Sequence, residues 1–425
     1  MNIIRFFILI IFICTLSSCG EYFYHNEKSN FDKKYLLKRP SDFCSLDKKK
    51  SNLEIAGPSQ DAVKIFKDLT ISNNHFKKMS LVELNVAWAL MQLNIRPDLV
   101  SPTSRLQILT KRFNRTKYYQ FDLSNSKTPF LSGLNFLLKR NKSRLSLKDI
   151  ATLLYRHLPR SIPITNEFAA FLSKNKEQLK NNDQFLHVYF KASQVMRRGE
   201  SLPKANFKKI VSSLDTKERV KPISYLFKSS IDADSSIECN IDIGLYKKNI
   251  FLISPMQSPD AVPFGISSKN GNHIIMVSTN FYQEITPFKN SYTIKGNING
   301  NPMMLCHIKN KKTLNEYTLV SSKGRDPGQH IFHLLNFQIQ NSIDHVETQE
   351  YINFPRHLFL RNPDRLVYES GKGSEEQLRN FLSLDFPIYH KNQLGRVWIH
   401  IHNKSKNRST LLIDHRSESA LACIK

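Results

Sequence analysis

Apolar residues recur along this chain with two different periods. Between residues 58 and 225 they fall mostly three and four apart, the spacing of one helical face. Ser80 followed by Glu83 is a capping box, and Leu84, Ala87, Trp88 and Met91 then line one face. Ser101 with Pro102 reads as a cap and an N1 proline, opening a helix through Leu106, Leu109 and Phe113. Thr128-Pro129 opens another, and Ser146 caps one carrying Ile150, Leu153, Leu154 and His157. Thr165 opens a helix through Phe168 and Phe171. Phe185, Val188, Tyr189 and Val195 mark the next, and Phe207, Ile210 and Val211 the last.

From residue 226 the period shortens to two. Phe264-Gly265-Ile266 and Ile274-Ile275-Met276-Val277 flank Asn270-Gly271, a strong hairpin turn. Glu238–Asp242 running into Ile250–Ile253, Leu305–Lys309 into Tyr317–Val320, and Ile399–His402 into Leu411–Ile413 each read as two strands joined by a polar turn. Leu358–Leu360 and Leu366–Tyr368 flank the turn Asn362-Pro363-Asp364, and Ser374 with Gln377 caps one helix. Ile331, His333, Leu335, Phe337 and Ile339 alternate as in a strand, which would put His330 and His333 on opposite faces. The fold class expected is α+β. An all-helical domain, a bundle or short solenoid, spans 58–225, and a mostly antiparallel β domain with one inserted helix spans 226–425.

Residues 1–18 read as a secretory signal, with Arg5 preceding an apolar run too short to span a bilayer. Its exit, Leu16-Ser17-Ser18-Cys19-Gly20, resembles the lipobox of bacterial lipoproteins. That resemblance covers about twenty residues and implies that the Cys19 thiol is acylated and becomes the mature N-terminus. Residues 19–57 would then be a lipidated tether. Gly20 stands where inner-membrane lipoproteins carry Asp, so the resemblance points to the outer membrane.

Composition sharpens this picture. The 425 residues carry 62 Lys and Arg against 36 Asp and Glu, and the 11% aromatic content argues against wholesale disorder. The excess is uneven. Residues 20–225 hold 38 basic and 18 acidic residues, residues 226–425 only 23 and 18. Such a field attracts anions, here lipid headgroups, envelope polymers or, less readily, nucleic acid. Lys111, Arg112, Arg115 and Lys117, interleaved with Phe113, Tyr118 and Tyr119, are the local candidates for anion binding. Once Cys14 leaves with the signal and Cys19 is acylated, four cysteines remain in a disulfide-permissive compartment. Similar strand contexts favour Cys239 with Cys306, leaving Cys44 with Cys423.

Catalytic motifs are sparse. There is no GxSxG elbow, P-loop, GxGxxG or HExxH. His307-Ile308-Lys309 and His402-Asn403-Lys404 read HxK, but the Asp that the phospholipase D motif needs is replaced by Leu314 and Ser409. His400 and His402 share one strand face, and Asp414 follows on the next strand, the donor types of a zinc or manganese site. No cofactor is implied. The first expectation is therefore a non-catalytic binding or assembly module of the outer membrane. The alternative is a membrane-tethered hydrolase acting on envelope or external polymers, using the His400, His402 and Asp414 region.

Overall fold

The structure, a computed structural model, describes residues 44–46 and most of the chain from 52 onward. Residues 1–43, 47–51, 249–260, 280–285, 294–302 and 371–378, with several shorter stretches, lie outside the described residues. The Cys19 lipobox, Asn362 and Pro363 of the expected turn, the Ser374 helix cap, the Ile250–Ile253 strand and the Cys44 side chain all fall there.

Two antiparallel sheets stack face to face. In chain order their strands are β1 (Cys44–Leu46), β2 (Leu53–Gly57), β3 (Arg105–Arg112), β4 (Arg115–Phe121), β5 (Phe227–Ser230), β6 (Ser235–Cys239) and β7 (Val262–Ser268). They continue with β8 (His273–Thr279), β9 (Met303–Asn310), β10 (Asn315–Ser322), β11 (Arg396–Asn403), β12 (Arg408–Ile413) and β13 (Ala420–Ile424). The first sheet runs β1-β12-β11-β10-β9-β6-β5, the second β13-β2-β7-β8-β3-β4. Both are built largely from hairpins. The Asn270-Gly271 turn joins β7 to β8 with Gly271 at φ 72°, a left-handed conformation that glycine adopts without strain. The sequence reading also finds the β9–β10 and β11–β12 hairpins.

Side chains alternate across these strands. Leu109, Ile275 and Val277 of the second sheet meet Leu305, Val320, Trp398 and Leu411 of the first in a dry inter-sheet layer. The opposite faces are covered by helices. On the second sheet lie α1 (Gln60–Ser72), α2 (Leu81–Ile95), α3 (Pro129–Arg140) and α4 (Leu147–His157). The helix α5 (Asn166–Lys174) belongs to a satellite cluster around Phe168 and Phe185. On the first sheet lie α6 (Pro327–Asn336) and α7 (His345–Asn353). The result is four layers, helix, sheet, sheet, helix.

The helix α2 shows how sequence becomes packing. Ser80 and Glu83 form the reciprocal capping box. The helix is then buried nearly all round rather than on one face, as expected of a core helix. Trp88 donates from Nε1 to the Ala56 carbonyl at 2.9 Å, and Gly57 leaves room for its ring: a Cβ there would lie 2.2 Å from Cζ2.

The coarse α+β class holds, but the domain split does not. Residues 105–121, read as part of an all-helical domain, are β3 and β4, and β2 comes from the segment read as tether. The Ser101-Pro102 pair opens no helix, because β3 gains a partner on each side, β8 and β4. Tertiary pairing of a half-apolar segment overrides its local signal. The Ile331–Ile339 alternation is mistaken in the other direction. Asp326 caps α6 by accepting from the Gly328 N–H at 3.1 Å, and Pro327 occupies its first turn. Both His330 and His333 therefore lie on one helix.

Candidate functional site

The lower half of the inter-sheet layer is polar. On β11, His400 and His402 do share a face, and both point between the sheets. There they join His273 from β8, which the sequence reading passed over, and His307 from β9, which it weighed only as part of an HxK pair; both occupy inward strand positions. The hydrogen bonds fix a proton order. The Gly271 carbonyl can only accept, so His273 donates from Nδ1 (3.0 Å) and its Nε2 accepts from the Thr318 hydroxyl (2.9 Å). Thr318 in turn accepts from His307 Nδ1 at 3.0 Å. Burial, with Lys111 nearby, pushes His273 down to about 3, and burial pushes His402 down to about 4. Glu54 accepts from the Ser267 hydroxyl at 2.6 Å, and its burial raises it to about 8. This cluster is a packed layer of neutral groups.

Asp414 is not part of it. Its carboxylate accepts from the Val397 N–H (3.1 Å) and pairs with Arg356 (2.5 Å) and Arg416 (3.2 Å), which belong to a separate buried network with Glu369. Among the described residues, no group of three or more His, Cys, Asp or Glu is placed to hold a metal ion. The three metal candidates are thus divided between two structures.

The four anion candidates do come together. Lys111 and Arg112 end β3, Arg115 and Lys117 begin β4, and Arg112 faces Arg115 across the hairpin. All four line a cavity of about 850 Å³, with Arg140, Tyr119, Asn141 and Asn272. Arg140 closes α3 and stands over the Tyr119 ring at 5.2 Å. The sequence reading missed it, although it sits in a basic last turn. Lys111 differs from the others. It is buried against the Glu316 carboxylate, and desolvation, with Lys404 and Lys309 nearby, lowers its amine to about 7. Only Arg112, Arg115 and Lys117 of the four are exposed.

At the opposite end of the inter-sheet layer, Ser322 on β10 faces Arg396 on β11, and Val320 faces Trp398. The Arg396 Nη2 donates to Glu167 at 2.5 Å, and Glu167 also holds Arg96. Among the described residues, the Arg396 Nε and Nη1, the Trp398 Nε1 and the Ser322 Oγ are buried without hydrogen-bond partners. Unfilled buried donors are uncommon in native proteins, and Arg396 and Trp398 carry three of them two positions apart on β11.

Cys239 and Cys306 are joined in a disulfide, facing each other across β6 and β9. Cys423 is also disulfide-bonded.

No family model and no curated protein matches this chain. Solved structures do. The cephalosporin acylase from Bacillus halodurans is similar over 91% of this chain and 98% of its own, at 9% identity and a TM-score of 0.63. LmbA2991HD is similar over 89% and 100%, at 7% identity and a TM-score of 0.63. The likeness is one of fold, spans both sheets and their helices, and cuts across the expected domain boundary. It also overturns the expectation of a non-catalytic module and the leaning away from an enzyme: an acylase is built on the same frame, nearly end to end.

Proposed function

We propose that this protein is a hydrolase of acylase type, cleaving amide bonds in envelope or external polymers and held on the outer membrane by an acylated Cys19. The observation that carries the reading is the fold shared with an acylase over 91% of the chain. The Arg396 end of the inter-sheet layer adds a chemical reason. Amide hydrolysis builds negative charge on the carbonyl oxygen, and pre-placed N–H donors in a dry site stabilise that charge strongly. Arg396 and Trp398 hold such donors unfilled.

The anchor reading rests on the lipobox residues alone, and it places the enzyme beside polymeric substrates. The test is an amidase assay of the full chain on N-acylated amino compounds and envelope extracts, with products followed by mass spectrometry. Hydrolysis that falls at least about 100-fold in Arg396→Gln, the scale of losing one oxyanion donor, supports the reading. A folded wild-type protein that releases no acyl product from either substrate set overturns it.

A further inference from the structure

The cavity on the β3–β4 hairpin continues into a second one of about 830 Å³. The two share Arg115, Lys117, Tyr119 and Arg140. No carboxylate lines the first. In the second the one acidic side chain, Glu238, is neutralised by Lys228 at 3.3 Å. Among the described residues, Arg115, Lys117 and Arg140 have no acidic partner. Their charges are therefore uncompensated along one continuous concave track.

Aromatic faces accompany the charge. The Arg140 guanidinium rests over Tyr119 and Phe136. At the far end Tyr225 is 62% exposed and Phe227 38%, their rings edge to face with centroids 4.9 Å apart. Two large aromatic side chains left in solvent beside a cationic track have a ready use, because every nucleobase presents a π-face.

We infer that this groove binds single-stranded nucleic acid. Phosphates lie along Arg115, Lys117 and Arg140, and unstacked bases pack on Tyr225 and Phe227. A flat lipid surface does not enter a concavity. A duplex keeps its base faces stacked inside, and an acidic polysaccharide satisfies the cations but has no bases for the aromatic pair. The surface is separate from the Arg396 end and does not depend on the hydrolase reading.

The test is fluorescence anisotropy of a labelled oligothymidine of about 15 nucleotides with the full chain in non-ionic detergent, over about 50–300 mM salt. Three phosphate contacts predict a log–log salt slope near −2, at about −0.7 per contact. Arg115→Ala with Lys117→Ala should reduce that slope by about 1.4. Tyr225→Ala should weaken binding several-fold with the slope unchanged, since it removes stacking and no charge. Far-ultraviolet circular dichroism of each variant controls for folding. A flat salt response, equal affinity for duplex or heparin, or an unaffected Tyr225→Ala variant overturns the inference; in the heparin case the groove is a general polyanion surface.

Discussion

Glu54 and His400 meet across the gap between the two sheets, Oε2 to Nε2 at 3.8 Å, with neither side chain reaching solvent. Neither is charged at neutral pH. Burial lifts Glu54 to about 8 and holds His400 well below its ordinary value. The two groups give opposite pH dependences. Glu54 keeps its proton in the folded state up to about pH 8 and in the unfolded state only to about 4.5. Its contribution is therefore complete below 4.5 and is lost as the pH rises to 8. Histidines lowered by burial, His273 and His402 included, contribute above about 6.5 and lose that contribution as acid charges the unfolded chain.

Glu54→Gln keeps the shape and the acceptor for Ser267. It should flatten the decline in melting temperature between pH 5 and 8 and leave the acid limb in place. A melting series across that range checks it; an unchanged alkaline limb would mean that Glu54 is already ionised.

Glu167 lies between Arg96 and Arg396, accepting from both. Glu167→Ala leaves two largely buried guanidinium groups short of a counter-charge. Breaking a buried pair from one side costs about 3–5 kcal/mol, so urea denaturation should show a large drop in midpoint with little change in slope.

Gly271 turns the β7–β8 hairpin, and a Cβ placed there would lie 2.5 Å from the His402 ring. Gly271→Ala meets a left-handed backbone and a packed imidazole together. A loss of more than about 1 kcal/mol is expected, measurable as a lower denaturation midpoint.

The Cys239–Cys306 bridge spans 67 residues of chain. Replacing both cysteines with serine should cost about 2–5 kcal/mol. The double variant should also lose most of the wild-type response to reductant, except for the part due to Cys423.

Cys19→Ser tests the anchor directly. The variant should leave the membrane fraction and appear in the soluble one, whereas the wild-type chain should carry acyl mass on its first mature residue.

What could be read from the sequence was local. The Ser80 and Glu83 box, the Asn270-Gly271 turn and the β9–β10 hairpin each depend on residues a few positions apart, so their signals survive without the rest of the molecule. The Ser101-Pro102 segment failed because β3 is fixed by pairing on both sides, with β4 next to it and with β8, which lies far along the chain. Arg115 and Lys117 were found as a run in sequence. Arg140, which completes their cavity, arrives on another element, so no spacing rule connects it to them. The paired donors at Arg396 and Trp398 were invisible for the same reason: an unfilled hydrogen bond is a property of the assembled interior.

The position of β2 has a consequence for how the chain comes to be folded. It pairs on one side with β7 and on the other with β13, Ala420–Ile424. The Glu54–Ser267 contact alone joins residues 213 positions apart. A chain delivered from its first residue onward presents β2 early and must hold it open until the last strand emerges. Such distant pairings form slowly and leave strand edges exposed meanwhile. An unfinished copy, cut short before residue 420, would carry an uncapped β2 edge and be a natural client for chaperones and proteases.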